Sequence, residues 1–206
     1  MLQPRYAAAV LHRCSGSAKP GINSLRSVRI RPMGPDDKGA LLRFFEELSP
    51  TTVALRFLGP KKALSGRELS YFTEVDSVRH VALAATLGSG NAERIIGVAR
   101  YVRLEVGGQL SDRAEVAVTV ADEFQGMGVG GLLTRSLIRL AKQNGVHEFG
   151  FCVSGENRKV LAMFRRYLRV VSHTVEAGAV EIVCSLDEAP VPLRQTHASQ
   201  ETASLT

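Results

Sequence analysis

Residues 114–133 read Ala114-Glu-Val-Ala-Val-Thr-Val120, Ala-Asp-Glu-Phe124, Gln125-Gly-Met-Gly-Val-Gly-Gly131, Leu-Leu133. An alternating β-branched run leads through a short polar link into a glycine cluster, after which an apolar helical pattern begins. The first N–H groups of a helix have no intrahelical partner and lie at the positive end of its dipole, and glycines let the backbone approach an anion closely. The stretch therefore predicts a phosphate-binding glycine loop, residues 125–131, between a strand and a helix.

Two common phosphate-binding motifs fit this loop poorly. The spacing Gly126-x-Gly128-x-x-Gly131 matches the dinucleotide-binding fingerprint, and Glu156 ends the next predicted strand, where a ribose-binding acid would lie. In that fingerprint the glycines follow the strand directly, whereas residues 121–125 intervene in this chain, and too little chain follows for the remaining strands. A GxxxxGK[ST] P-loop motif is absent from the sequence. Both readings are therefore disfavoured.

The hydrophobic pattern predicts a mixed α/β (α+β) domain. Helices are expected to begin at Pro35, at the Ser49-Pro50 cap and at Ser65, then directly after the glycine loop and again after Ser154. Strands are expected over residues 28–32, 81–85, 94–104, 114–120, 147–153, 169–175 and 179–186. The second to fourth strands are joined by short turns and form an antiparallel meander, whereas a helix crosses between the fourth and fifth, which makes that pair parallel.

Composition bounds the domain organisation. The 206 residues, with 45% apolar and 22% charged, are typical of one globular domain, and no apolar run is long enough to span a membrane. We expect a flexible leader over residues 1–26, the domain over 27–188 and a disordered tail over 189–206. The net charge of +6 comes without a basic stripe interleaved with aromatics, so nucleic acid is not an expected partner.

Cysteine usage indicates a reducing, cytoplasmic environment. The three cysteines are dispersed and form no CxxC pair, so neither a metal site nor a disulfide framework is expected. Cys152 and Cys184 lie in apolar strand-like runs, where a buried inert thiol is the usual role.

At the strand–helix junction, Gln125-x-x-Gly128-x-Gly130 resembles the acyl-CoA signature of the GNAT N-acetyltransferase superfamily. Further phrases resemble the GNAT domain of bacterial protein-lysine acetyltransferases: Arg31-Pro32, Leu48-Ser-Pro50 with Arg56-Phe57, Ala114-Glu-Val-Ala-Val, and Glu156-Asn157. The resemblance covers residues 28–186 and implies a GNAT fold, with helices on both faces of a mostly antiparallel sheet and a central parallel pair that splays apart. It also implies acetyl-CoA as cosubstrate, a primary-amine acceptor with a protein lysine favoured over a small amine, and a monomer or homodimer.

The resemblance also assigns contacts to the cofactor. The backbone amides of the glycine loop would hold the pyrophosphate, the fourth strand would pair with the pantetheine arm, and the residue that opens the later helix would approach the same arm. The assigned positions are Val118, Val120, Gln125, Gly126, Met127, Gly128, Val129, Gly130 and Asn157. A parallel pair has to open for an amide-lined arm to insert as an additional strand.

Glu115 resembles the general base of the family. Strand alternation places it on one face with Ala117 and Thr119, where small neighbours leave room for water and substrate. An acceptor lysine, with a pKa of about 10.4, has to lose a proton before it attacks, and a carboxylate whose pKa is raised by partial burial is a suitable acceptor of that proton. The alternative reading is a charge on an exposed strand face.

One position departs from the family pattern. Many GNAT enzymes carry a tyrosine seven residues after the asparagine, as the acid that protonates the leaving thiolate, but this chain has Phe164 there and Tyr167 one turn later. Tyr167 is interpreted as a core residue, so the acid step would rely on solvent. The departure keeps a non-catalytic acyl-CoA-binding sensor open as an alternative, beside a small-molecule amine acetyltransferase.

Overall fold

The computed structural model describes residues 27–154, 157–176 and 179–187. Seven strands form one sheet: β1 (Arg29–Pro32), β2 (His80–Leu87), β3 (Arg94–Val106), β4 (Gln109–Val120), β5 (Glu148–Ser154), β6 (Arg169–Glu176) and β7 (Ala179–Ser185). Five α-helices accompany them: α1 (Lys38–Glu46), α2 (Pro50–Phe57), α3 (Gly66–Thr73), α4 (Val129–Gln143) and α5 (Arg158–Tyr167). The predicted leader and tail, and Glu156, lie outside the described residues.

The strand order is β1-β2-β3-β4-β5-β7-β6, and every neighbouring pair is antiparallel except β4 and β5. The predicted mixed sheet with a central parallel pair is therefore confirmed. The last hairpin lies with β7 against β5, so that β6 becomes the outer strand. The parallel pair is thus covered by antiparallel strands on both sides.

The helix starts predicted from capping residues are present. The Ser49 hydroxyl accepts a hydrogen bond from the N–H of Thr52, which caps α2. Ser65 and Glu68 form a reciprocal capping box at the start of α3. The α2 helix ends with Leu58 in the left-handed conformation, directly before Gly59 and Pro60. None of the helices in the described part of the chain combines the length and apolarity that crossing a membrane requires.

Helices pack on both faces of the sheet. Gly97 of β3 lies against α4 so closely that an added Cβ would be 3.0 Å from Leu133 Cδ1. Arg100, three residues later and therefore on the other face, contacts Phe72 of α3. On β4 the same alternation directs Val116 and Val118 into the core beneath α4. Glu115 lies on the opposite face of the sheet, the face on which α1, α2 and α3 pack.

Candidate active site

The parallel pair opens shortly after it forms. Residues of β4 and β5 pair at three positions, of which Glu115 with Gly150 is the last. Beyond it, β4 stays paired with β3 as far as Val120, and β5 stays paired with β7 as far as Ser154. Each strand therefore keeps its outer neighbour and loses its inner one, which leaves a wedge with Glu115 at its apex. Because an extended strand directs backbone N–H and C=O groups to both sides, residues 116–119 present groups to this opening that do not pair with β5.

The glycine loop leads from the open end of β4 into α4. Gly126 and Gly128 have φ of 76° and 91°, values that an L side chain rarely adopts, and the space around both is open. Gly128 is the N-cap of the 15-residue helix α4 and provides no side-chain cap. The first-turn amides of Val129 and Gly130 consequently keep N–H groups without an intrahelical partner, and their contact with the pyrophosphate stays a prediction, whereas the Met127 N–H already makes a 3.4 Å turn bond to Phe124 O.

Gln125 lies beneath the loop, with only 4% of its surface exposed. Its Nε2 donates to Val120 O at 3.0 Å and to Thr52 Oγ1 at 3.3 Å, and its Oε1 is buried without a hydrogen-bond partner among the described residues. The side chain therefore holds the end of β4 and the start of α2, and its predicted contact with the cofactor stays a prediction.

Asp122 anchors the loop to α2, a role that the sequence did not indicate. Its carboxylate accepts hydrogen bonds from Ser49 N at 2.9 Å, from Ser49 Oγ at 2.7 Å and from Thr52 Oγ1 at 2.7 Å. The Ser49-Pro50 cap could be recognised locally, but its partner lies 73 residues further along the chain. This network joins the cap of α2 to the link that precedes the glycine loop.

Glu115 is half-buried at the apex of the opening. Burial raises the pKa of its carboxyl above the usual value, the nearby Arg113 guanidinium opposes that rise, and the Glu181 carboxylate adds to it. Arg113 Nη2 donates to Glu181 Oε1 at 3.1 Å, so the two modulating charges are paired with each other. Glu115 thus combines partial burial with a raised pKa, and its role as general base stays a prediction.

Asn157 lies at the open end of β5 as the N-cap of α5. Its Oδ1 accepts a 3.4 Å hydrogen bond from Val160 N, its own N–H donates to Ser154 O, and 4% of its surface is exposed. The side chain is engaged in capping, and its approach to the pantetheine arm stays a prediction.

The position at which the family pattern has a tyrosine is occupied by a core residue, Phe164. Phe164 is fully buried and stacks on Phe151 with ring centroids 4.2 Å apart. Tyr167 packs against α4, where its hydroxyl accepts a 3.1 Å hydrogen bond from Arg135 Nη1 and lies close over Gly131. Tyr167 therefore braces the first turns of α4.

The residues around the opening make no metal site, and no described group of histidine, cysteine or carboxylate residues has the arrangement that a metal ion needs. Asp76 organises the turn before β2, since its Oδ1 accepts from the N–H groups of Val78, Arg79 and His80. A cavity of about 440 Å³ lies between α1 and β3 and shares no lining residue with the glycine loop or the opening.

Comparisons with known proteins agree with this geometry. Residues 46–168 match the Acetyltransferase (GNAT) family. The acetyltransferase PA5475 of Pseudomonas aeruginosa is 35% identical over 133 residues, which cover 65% of this chain and 69% of that protein. The acetyltransferase Pat of Mycolicibacterium smegmatis is 33% identical over 162 residues, and the match spans 75% of this chain but only 47% of Pat.

Among solved structures, the GNAT domain of S. lividans PAT superposes with a TM-score of 0.69 at 32% identity. The superposition covers 77% of this chain and 90% of that domain. The family match extends from the end of α1 to the end of α5 and so includes the apex, the glycine loop and the N-cap of α5. The chain therefore belongs to the GNAT acetyltransferase family and is an acyl-CoA-dependent N-acyltransferase.

Proposed function

We propose that this protein acetylates the side-chain amine of a protein lysine by direct attack on acetyl-CoA, with Glu115 as the general base. The observation that carries the proposal is the position of Glu115, which is half-buried and is the last β4 residue to pair with β5. A thioester that follows the opening toward its apex ends beside this carboxylate, so base, acceptor and acyl carbon would meet at one point.

The chain's own groups account for binding of the cosubstrate. Val129 and Gly130 direct first-turn amides at the pyrophosphate, and Gly126 and Gly128 leave the surface above the loop open. The backbone edge of β4 that faces the opening offers hydrogen bonds to the amides of the pantetheine arm at Val118 and at the N–H of Val120, whose carbonyl already accepts from Gln125. A backbone N–H on this edge would also polarise the thioester carbonyl.

The chemical step removes two protons from the lysine nitrogen. The lysine ammonium transfers the first, through water, to the Glu115 carboxylate, and the neutral amine attacks the acetyl carbon. The new N–C bond forms as the C–S bond breaks, the electron pair of the C–S bond leaves with the CoA sulfur, and the nitrogen releases its second proton to solvent. Because a thiol has a pKa of about 8.5, the thiolate departs without a dedicated acid and takes its proton from solvent. Burial of Phe164 in the core is consistent with this.

The resemblance to the GNAT domains of protein-lysine acetyltransferases supports a protein lysine as acceptor. The chain spans about half the length of Pat, so the acceptor of that longer protein is not transferred directly. A small-molecule amine is the second candidate, and the same assay compares the two.

The test is intact-mass profiling with acetyl-CoA against small amines and folded proteins with exposed lysines, with the wild type and Glu115→Gln. We expect a product that is about 42 Da heavier than the acceptor, because an acetyl group replaces one hydrogen. For Glu115→Gln we expect a loss of about 10²-fold or more in kcat/KM with unchanged CoA affinity. The matched control is Glu105→Gln, which neutralises a glutamate paired with Arg79 outside the opening. If the wild type acetylates no amine, the catalytic proposal fails, and if Glu115→Gln retains full activity, the base is another group.

A further inference from the structure

Arg100 of β3 lies beside the proposed base on the same face of the sheet. Its register partners are Ala117 of β4 and Ala82 of β2, and Glu115 is two residues from Ala117 along the strand. The side chains on both sides of Arg100 are therefore small. An acceptor that reaches Glu115 from this face would approach the guanidinium.

Arg100 and Arg56 of α2 are the two buried arginines of the described chain, with 5% and 8% of their surfaces exposed. Arg100 Nη1 donates to Phe72 O at 3.4 Å and its Cζ lies 4.1 Å from the centre of the Phe72 ring. Arg56 Cζ lies 5.0 Å from the centre of the Phe57 ring. No described carboxylate lies within ion-pair distance of either guanidinium.

This arrangement is costly for the free protein. Burial lowers the pKa of Arg100 to about 9 and that of Arg56 to about 10, and the charge of Arg56 further disfavours the charge of Arg100. Both groups are nevertheless cationic at neutral pH. The more exposed arginines 31, 94 and 113 all pair with carboxylates. Contacts with aromatic rings offset part of the cost, but they do not neutralise the two charges.

Further polar groups on this face also lack partners. Thr119 Oγ1 and His80 Nε2 are buried and make no hydrogen bond within the described residues. The centres of the Tyr71 and His80 rings lie 4.9 Å apart. Burial raises the pKa of the Tyr71 hydroxyl, the charge of Arg100 lowers it and the charge of Glu115 raises it. Thr119 and His80, contributed by β4 and β2, thus add hydrogen-bonding capacity on the face of Arg100 that the described chain does not use.

We propose that Arg56 and Arg100 form a carboxylate-binding site for the acceptor, so that preferred acceptors carry a carboxylate near the reactive amine. The inference rests on the proposed function, since it places the site beside Glu115. An acceptor with only a cationic amine is repelled by the two guanidinium groups. A carboxylate neutralises them, and the planar fork of a guanidinium matches its two oxygens. The carboxylate belongs either to an acidic residue next to the target lysine or to a free amino acid.

The experiment compares acceptors that differ only in this group. One pair is a lysine peptide with a neighbouring glutamate and the same peptide with glutamine, and the other pair is lysine and cadaverine. We expect a wild-type preference of about 10- to 100-fold in kcat/KM for the carboxylate-bearing member, since a hydrogen-bonded charge contributes that much. A preference confined to the peptides identifies a protein acceptor, and one confined to lysine over cadaverine identifies an amino acid.

Arg100→Met should abolish the preference. Arg100→Lys keeps the positive charge but lacks the planar guanidinium that can donate two parallel hydrogen bonds, so it should reduce the preference. The control is Arg103→Met on the same strand, whose guanidinium donates to the carbonyls of Ser111 and Asn144. We expect this control to lower stability and to preserve the preference. A purely structural Arg100 would lower activity equally for both members of each pair, and this outcome would overturn the proposal. If Arg100→Met does not fold, Arg100→Lys and Arg56→Lys provide the same comparison.

A binding measurement separates this proposal from the catalytic one. With saturating CoA present to occupy the glycine loop, glutarate should raise the Tm of the wild type, and neutral glutaramide should not. Arg100→Met should lose the shift. If no amine is acetylated but the glutarate shift depends on Arg100, the catalytic proposal fails and the carboxylate site stands. Equal use of both members of each acceptor pair, with no glutarate shift, refutes the site.

Discussion

A Cβ on Gly150 would lie 3.1 Å from both Nε and Nη2 of Arg113, because the guanidinium of Arg113 crosses β5 at this glycine. Gly150 is also the register partner of Glu115, so the crossing brings a positive charge next to the proposed base. Arg113 lowers the pKa of Glu115, while burial and Glu181 raise it. The protonation of the base therefore depends on a glycine that belongs neither to a turn nor to the cofactor loop.

Gly150→Ala should shift the pH dependence of catalysis to higher pH. A contact of 3.1 Å is tighter than ordinary packing, so the flexible arginine has to move away from the strand. The Glu115 carboxylate then loses a stabilising charge, its pKa rises, and more of it is protonated at a given pH. The acid limb of the kcat/KM profile should move to higher pH, and the far-UV circular dichroism should be unchanged. Gly66→Ala, where an added Cβ meets nothing within 4 Å, is the control.

Glu181→Gln should shift the same limb in the opposite direction. The Glu181 carboxylate raises the pKa of Glu115, so its removal lets the base ionise at lower pH. Glu181 is 60% exposed and its charge is screened by solvent, so we expect a shift of only about a few tenths of a pH unit. The measurement is the kcat/KM profile at low ionic strength. An upward shift would show that the main effect of Glu181 is to position Arg113.

Gly128→Ala should weaken acetyl-CoA binding as well as stability. With φ at 91°, an alanine at the N-cap of α4 is strained by about 1–2 kcal/mol and moves the loop amides. Gly145, with φ of 71° and no neighbour within 4 Å, lies just beyond the other end of the same helix, so Gly145→Ala is a matched control for strain. Both variants should lose similar stability in urea titrations. Only Gly128→Ala should raise KM for acetyl-CoA, by about 10-fold or more because bonds to a charged phosphate are lost.

Features that depend on neighbouring residues could be predicted from the sequence. Ser65 and Glu68 are three residues apart, and their side chains and backbone alone determine the capping box. Gly128 precedes an apolar helical pattern, and its conformation follows from the absence of a side chain. The alternation around Glu115 predicted which face the carboxylate occupies, since strand periodicity is a local property.

Features that depend on the registers of distant strands could not be predicted in this way. The contact of Arg113 with Gly150 requires the parallel register of β4 and β5, which no local pattern encodes. From the sequence, Arg100 resembles an ordinary solvent-facing cation on a helix or strand. In the sheet it lies between two alanines of the neighbouring strands and contacts Phe72 of α3. The inward orientation of Gln125 likewise depends on Thr52, 73 residues away.

Asp122→Asn should destabilise the link between α2 and the glycine loop. The carboxylate accepts three hydrogen bonds from Ser49 and Thr52, and an amide has one acceptor oxygen with which to replace two. We expect a loss of about 1–3 kcal/mol, seen as a lower urea midpoint with an unchanged m value. The control is Asp112→Asn, because the Asp112 carboxylate accepts a 3.3 Å hydrogen bond from Ser111 Oγ in an exposed position. Equal midpoints for the two variants would contradict the anchoring role.

Gly131→Ala should be destabilising although alanine is the better helix former. In an unobstructed helix the change would stabilise by about 0.5–1 kcal/mol, and Gly39→Ala in α1, with its nearest neighbour at 3.6 Å, should show that gain. At Gly131 the new Cβ clashes with the Tyr167 hydroxyl and lies 3.2 Å from Tyr167 Cζ, so overpacking of about 1–3 kcal/mol should outweigh it.

Tyr167→Phe provides the decisive double-mutant cycle for this contact. The single change removes the exposed hydrogen bond from Arg135 and should cost little by itself. In the background of Gly131→Ala it removes the clashing oxygen. The double variant should therefore lose less free energy of unfolding than the two single variants lose in sum. Recovery should be incomplete because the ring carbon stays close to the new methyl group. Strict additivity in urea unfolding would mean that Tyr167 does not brace the first turn of α4.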